Sequence, residues 1–215
     1  GHGGTYQDNN SNYLHVSTIG ICVKNNFERR IGIWPSGFDD EGVMYCNTAY
    51  GDYPTFLPSQ KKNHLTEHFS GWMLLNYNKP VQVSSTLGGF QPNFAVNEDI
   101  KTYWSAKTGN KGEFIISDLG EMSTVHAIQI NYADQDAEIM GKPEKTSGHK
   151  YILYTSGDGK NWKMIADKSK STQDVPHEYI ELQHPVKTRF LKLENHGMPT
   201  GKFALSGFRV FGKGS

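Results

Sequence analysis

The chain has 215 residues, enough for one large domain or two small ones. Lys plus Arg and Asp plus Glu each total 22, so the formal net charge is zero and no basic field makes nucleic acid the main partner. No apolar run approaches the roughly 20 residues of a membrane-spanning helix, while 23 glycines, 12% aromatics and short apolar runs suit an all-β protein rich in turns.

The chain opens on Gly1-His-Gly-Gly4 with neither Met nor a visible leader, and reads as a mature product or a fragment. Residues 1–58 then read as strands and turns. Asn9-Asn-Ser-Asn12 is a turn cluster. Tyr13 to Val23 is a long strand-forming run with a bend expected at Gly20. Arg29-Arg-Ile-Gly-Ile-Trp34 follows, and Asp39-Asp-Glu-Gly42 signals a turn before Val43-Met-Tyr-Cys46. Three or four strands in under sixty residues is the content of about one propeller blade. Cys22 and Cys46 each lie in an apolar run and are expected as free thiols packed like small hydrophobes.

Residues 59–78 read as a linker with one helical or irregular turn. His64 and His68, four apart, would share a helix face and suit Zn²⁺, but no Cys or acid completes the set. From Lys79 the pattern is strands and long loops. Strand-like runs are Val81–Thr86, Gly112–Gly120, Val125–Tyr132, Lys150–Thr155, Trp162–Ile165, Tyr179–Leu182, Arg189–Leu193 and Phe208–Phe211. Ser156-Gly-Asp-Gly-Lys-Asn161 is a hairpin turn, and lacks the glycines and helix of a phosphate loop. No helical period persists. Long loops fall at 87–94, 105–112, 133–149 and 195–203, and long loops on a rigid scaffold are where binding resides.

Two groups of residues invite chemistry. Asn93 to Ser105 crowds oxygen donors at short spacing, as a hard cation requires, beside Trp104, whose bulk suits a core plug. The plainer alternative is a polar turn closed by hydrogen bonds on that tryptophan. Sugars are held by aromatic faces and a few polar groups, which makes Phe90, Gln91, Tyr132, Asp134, Asn195 and His196 candidates. Each is equally readable as loop packing or solvated polarity. No nucleophilic triad or Cys/His pair stands out, and no catalytic residue is expected in this chain.

Ala95-Val-Asn-Glu-Asp-Ile-Lys-Thr-Tyr-Trp-Ser105 and Phe114-Ile-Ile-Ser-Asp-Leu-Gly120 closely resemble the discoidin-type module, also called the coagulation factor V/VIII C-type domain, a pattern shared with family 32 carbohydrate-binding modules. The resemblance continues through Tyr151–Trp162, Thr188–Leu193 and Ala204–Gly212, covering about residues 76–213. It implies a galactose-binding-domain-like jelly-roll sandwich over 76–215. It also implies Ca²⁺ held by the Ala95 carbonyl, Asn97, Asp99, Thr102 and a carboxylate late in the last strand. Gly207, beside Ser206, stands where that carboxylate belongs, so a weak structural site at Ala95, Asn97, Asp99, Thr102 and Ser206 is expected.

A second resemblance covers the start. Gly1–Asp8, Tyr13–Ser17, Glu28-Arg-Arg-Ile-Gly-Ile-Trp-Pro35 and Phe38–Tyr45 resemble the last part of a family 43 glycoside hydrolase, a five-bladed propeller whose members include β-xylosidases and arabinofuranosidases. This implies a partial propeller over residues 1–75, with His2 near the propeller axis and Arg29 at a substrate subsite. The family's general base, its pKa-modulating Asp and its Glu general acid lie in earlier blades, so missing upstream blades are an implied partner. Asp8, Asp39, Asp40 and Glu41 are simple turn carboxylates. The expected protein is thus the carbohydrate-binding C-terminal region of a secreted, periplasmic or cell-surface glycosidase, with a plant-type polysaccharide or oligosaccharide as its partner. The competing expectation is an adhesion module that binds protein or lipid headgroups.

Overall fold

A computed structural model describes residues 2–20, 29–46, 53–56, 67–138 and 148–215. The chain divides into two compact units, the first running up to Met73 and the second holding Leu74–Ser215. The fold is all-β, with a single short 3-10 turn, Pro92–Ala95, among the described residues.

The first unit carries a four-stranded antiparallel sheet in the order β1 (Gly3–Gln7), β2 (Tyr13–Gly20), β3 (Arg29–Phe38) and β4 (Met44–Cys46). Side-chain carboxylates build its tight turns. Asp8 Oδ1 accepts the backbone N–H of Asn10 and of Asn12, both at 2.8 Å, and Oδ2 accepts the Asn12 amide at 2.9 Å. The bonds from Asn12 hold the Asp8 carboxyl below the usual range. Asp39 repeats the device, accepting Glu41 N–H at 3.0 Å and Val43 N–H at 2.8 Å, while Gly42 takes the positive φ of 79°. β2 ends at Gly20, where the bend is expected. Cys46 is a free thiol 3.2 Å from Ser36 Oγ, whereas Cys22 lies outside the described residues. So does His64, and with it the paired-histidine reading. The described end of the expected linker, residues 67–72, shows no helical turn.

The second unit is a two-layer sandwich made by strands that turn a corner. Its strands are β5 (Met73–Leu74), β6 (Val81–Val83), β7 (Trp104–Ser105), β8 (Phe114–Tyr132), β9 (Lys150–Ser156), β10 (Lys163–Asp167), β11 (His177–Gly197) and β12 (Ala204–Lys213). The runs 112–120 and 125–132 read as separate strands in the sequence, yet both belong to the 19-residue β8. The runs 179–182 and 189–193 likewise join in the 21-residue β11. The first part of β8 pairs with β6 and with Phe190–Glu194; its second part pairs with His177–Thr188 and with β12. The β8–β11 ladder shifts register between Glu181 and Val186 and between Thr188 and Phe190, and Gly120 has φ of 85° near the corner. Bulges and a glycine let a strand leave one layer for the other without breaking its backbone pairing.

One layer is therefore β10-β9-β11-β8-β6 and the other carries β11-β8-β12, with β5 and β7 beside β12. Ile115, Leu153, Leu191 and Leu193 from the first layer meet Val125, Ile128, Ile130, Phe208 and Val210 from the second in one buried cluster. Trp104, fully buried as expected, packs edge-on to Phe203 at 5.4 Å and donates its indole N–H to Ser85 O at 3.2 Å.

Candidate functional site

One end of the sandwich gathers most of the loops. Ala133 N–H donates to Ala204 O, Lys202 N–H to Gln135 O and Phe203 N–H to Thr108 O, at 2.9, 2.9 and 3.0 Å. These bonds tie the loops after β8, before β12 and after β7 into one platform. Two glycines make the approach possible: a Cβ on Gly109 would lie 2.3 Å from Gly201 O, and one on Gly201 would lie 2.5 Å from Gln135 O, at a φ of 73°.

On this platform Phe90 stacks on Tyr103 with centroids 4.7 Å apart, and both pack with Ala133 and Ala204. Tyr103 Oη donates to Gln135 Oε1 at 2.7 Å. Gln91 is exposed next to Phe90, and Asp134 is half-buried just beyond Tyr132. Tyr132 is 6% exposed and its ring lies 4.1 Å from that of His149. Burial, and then the charge of Glu178, push its hydroxyl far above the ordinary tyrosine range. Beside His149 the segment Asp167–Gln173 forms a polar recess of about 460 Å³ lined by Lys168, Lys170, Ser171 and Thr172, with His149 N–H bonded to Gln173 O at 3.1 Å. Sequence reasoning passed over this recess, because its residues look like any solvated loop.

The remaining ligand candidates stand apart. Asn195 is 1% exposed and its amide is fully used: Nδ2 donates to Gly109 O at 2.8 Å and Asn110 O at 2.9 Å, and Oδ1 accepts Gly197 N–H at 3.1 Å. It clamps the loop that shapes the platform. His196 lies with Glu194 on the outer face of the first layer, Nε2 and Oε1 3.1 Å apart. In the first unit, His2 is exposed and its carbonyl accepts from Thr18 N–H. Thr18 pairs with Ile31 and Gly20 with Arg29, so His2 and Arg29 fall two positions apart at one end of the sheet. The Arg29 side chain lies outside the described residues.

The cation loop is closed by its own hydrogen bonds. Asn97 Oδ1 accepts Asp99 N–H at 3.0 Å, Asp99 Oδ1 accepts Lys101 N–H at 2.9 Å, and Thr102 Oγ1 donates to Asp99 O at 3.1 Å while accepting the Asn97 amide at 3.0 Å. Ala95 is buried above it. Ser206 bonds Asn131 O on β8 at 3.3 Å. Glu98, at a positive φ of 60°, is claimed by Arg209, whose Nε and Nη2 reach the two carboxylate oxygens at 3.0 and 2.8 Å. Arg209 is 3% exposed and also donates to Gln129 Oε1 at 2.6 Å. A buried guanidinium therefore ties this loop to the last strand, a task the resemblance gives to a metal and a carboxylate. The donors that remain, Asp99 and neutral oxygens, suit a weakly held hard cation with one protein charge.

Glu113 is a further residue that sequence reasoning missed. It is 9% exposed, and burial opposes its charge, yet bonds from Ser84, Thr108 and Ser85 overcome that and hold its carboxyl below the usual range. Thr108 Oγ1 donates to Oε1 at 2.7 Å and Ser85 Oγ to Oε2 at 2.8 Å, which stitches the loops either side of Trp104. A Glu opening a strand gives no sign of this in sequence, since its partners are up to 29 positions away.

Residues 80–206, more than half of the chain, match the F5/8 type C domain family. The chain belongs to that family. No curated protein matches the chain in sequence. Among solved structures, this F5/8 type C protein resembles chitosan-binding module 2 of a chitosanase/glucanase from Paenibacillus sp. IK-5, in complex with chitotriose, at 19% identity and a TM-score of 0.53 over 64% of this chain and 99% of that one. It also resembles a family 32 carbohydrate-binding module from Clostridium perfringens at 18% identity and a TM-score of 0.52, over 66% of this chain and all of that one. A structure described as a glycoside hydrolase aligns with 95% of this chain and 44% of its own, at 17% identity and a TM-score of 0.51. The F5/8 type C unit thus has the carbohydrate-binding-module fold, and its loop platform sits on that frame.

Proposed function

We propose that the sandwich binds carbohydrate through its loop platform, with Phe90, Gln91 and Asp134 as the contact surface and the buried Tyr132–His149 pair supporting it from beneath. The convergence of two aromatic pairs with the exposed Gln91 and the half-buried Asp134, on a fold shared with a module seen with chitotriose, carries this reading. Sugar rings bury their C–H faces on aromatic surface and satisfy their hydroxyls with a few polar groups. A glycan array probed with the full chain tests it: Gln91→Ala with Asp134→Ala should abolish the strongest signals without changing the melting curve. Array binding that survives the double variant would move the site elsewhere. Met198 packs against the core, so lipid vesicles should fail to co-sediment the chain.

The same reading makes the chain the C-terminal region of a glycosidase of the family 43 type. Four antiparallel strands are the content of one propeller blade, and the likeness to a glycoside hydrolase extends over nearly the whole chain. The division into a propeller segment at 1–75 and a sandwich at 76–215 belongs to this proposal, as do a secreted, periplasmic or cell-surface location and a plant-type polysaccharide or oligosaccharide as the carbohydrate bound. Asp8 and Asp39 are spent on capping turns, so hydrolysis belongs to acids of the parent. In that parent, Arg29→Ala should lower kcat or raise KM with little loss of stability; unchanged kinetics would make Arg29 structural. Ca²⁺ at Ala95, Asn97, Asp99, Thr102 and Ser206 completes the reading as a weak structural ion.

A further inference from the structure

The first layer carries a groove far from the loop platform. It has a volume of about 280 Å³ and is lined by Pro80, Val81, Gln82, Ile116, Asp118, Gly159, Trp162 and Phe190. Phe190 pairs with Ser156 at the hairpin end of β9, whereas Asn195 pairs with Tyr151 at the platform end. Five strand residues separate the two ends, roughly 16 Å.

The groove is built by sequence that fixes its shape. The hairpin Ser156–Asn161 is held by Asp158, whose Oδ1 accepts Lys160 and Asn161 N–H at 2.9 and 2.8 Å. Gly159 takes a φ of 72°, which favours glycine, and packs beside the Phe190 ring. That hairpin presents Trp162 as one wall, and the edge strand β6 presents Val81 and Gln82 as the other. Asp118 supplies a charge that is already paired. Its Oδ1 accepts Arg189 Nε at 2.7 Å and Gly120 N–H at 2.8 Å, and its Oδ2 accepts Arg189 Nη2 at 2.8 Å. The Arg189 pair holds its carboxyl below the usual range, so it is an acceptor at all physiological pH. Two of the five N–H donors of Arg189 are spent on Asp118, and the guanidinium also lies 4.9 Å from the Phe190 ring centre on a side chain 41% exposed.

We propose that this groove is a second carbohydrate subsite that takes a single neutral pyranose ring. Trp162 and Phe190 receive the C–H face of the ring. The second lone pair of Asp118 Oδ2 accepts one ring hydroxyl, and the Gln82 amide holds its neighbour. The carboxylate is neutralised by Arg189, which disfavours both cationic and anionic ligands and favours a vicinal diol. The volume lies just under the roughly 300 Å³ at which drug-sized pockets begin, which fits one ring and not a chain. The proposal extends the carbohydrate reading of the chain but uses no residue of the loop platform.

Nitrogen-labelled full chain, titrated with the methyl glycosides of xylose, galactose and N-acetylglucosamine and separately with glycerol 3-phosphate, reports on both places by NMR. The Trp162 indole and Gln82 amide signals watch the groove; Gln91 and His149 watch the platform. The proposal expects at least one glycoside to shift Trp162 and Gln82 along their own saturation curve. Gln82→Trp, on an exposed edge position, should fill the groove and weaken that curve at least about tenfold, leaving the platform response unchanged. Trp162→Phe should weaken it less, since an aromatic wall remains. Shifts confined to Gln91 and His149 would overturn the second subsite and leave the platform reading standing. Shifts at neither place would overturn both. A groove response to glycerol 3-phosphate and to no glycoside would show a phosphate-ester site and overturn the sugar assignment.

Discussion

The two units of this chain solve the same β problem to different depths. The sandwich buries Trp104, Tyr151, Phe203, Phe208 and Phe211 completely, with a shell of Ile and Leu between two layers. In the four-stranded sheet, Leu14 and its cross-strand neighbour Pro35 are the apolar side chains among the described residues that reach core burial. Its register sets Tyr6 opposite Leu14, Val16 opposite Ile33 and Thr18 opposite Ile31, so one face is apolar. Yet Tyr6 is 45%, Ile33 41% and Ile31 70% exposed. Alternation and turn chemistry suffice to make strands in both units; a core needs a second layer to close on the first.

The largest expected effect breaks that contrast at its centre. Trp104→Ala should cost about 3–5 kcal/mol in urea denaturation, because it empties a fully buried site and removes the bond to Ser85. Ile31→Ser, on the open face, should change stability by no more than about 0.5 kcal/mol. A loss of several kcal/mol at Ile31 would mean that another surface covers the sheet.

The Glu98–Arg209 pair sharpens the comparison next. Arg209→Leu leaves a carboxylate without its partner. Glu98 is 30% exposed, which moderates the roughly 3–5 kcal/mol of a broken buried pair to about 1–3 kcal/mol. Removing both charges, with Glu98→Gln added, should recover part of the loss in a double-mutant cycle.

Acid then probes the loops around Trp104. The Glu113 carboxyl is depressed in the folded state, so its stabilisation is fully present above the ordinary value of 4.5 and is lost as pH falls through the lower folded value. Denaturation midpoints of the sandwich should fall below about pH 4.5, and Glu113→Gln should flatten that slope. Glu113→Gln with an unaltered acid limb would assign the pH dependence to other groups, Asp118 first.

The smallest effect is that of the cation. Added Ca²⁺ should raise the melting temperature slightly by mass action, chelator should reverse it, and Asp99→Ala should remove the response. An unchanged wild-type curve would leave the loop to its hydrogen bonds and to Arg209.

What the sequence made legible is local. Asp8, Asp39 and Asp158 announce turns because a carboxylate can accept N–H groups two to four residues on. Trp104 announces a plug because it carries the largest apolar surface in its loop. The hidden parts are set by distant partners. Glu98 and Arg209 are 111 residues apart, and nothing near either shows that they meet. β8 and β11 read as broken strands because the corner near Gly120 looks like a chain turn, while pairing with each other carries both across it. Asn195 reads as a ligand group at the end of a strand, and only its enclosure by Gly109, Asn110 and Gly197 shows that its amide is spent. The platform was partly legible: Phe90 is an aromatic on a long loop and Tyr132 is an aromatic that ends the strand before another, but His149 and the Asp167–Gln173 recess join them only through the fold.

Isothermal titration calorimetry on the full chain with the glycan that gives the strongest array signal tests the carbohydrate reading most directly. The account predicts saturable binding that Gln91→Ala with Asp134→Ala weakens at least about tenfold while the melting temperature stays unchanged. Saturable heat that is identical for wild type and double variant would contradict the platform as the principal site, and the absence of heat with every array-positive glycan would contradict carbohydrate binding itself.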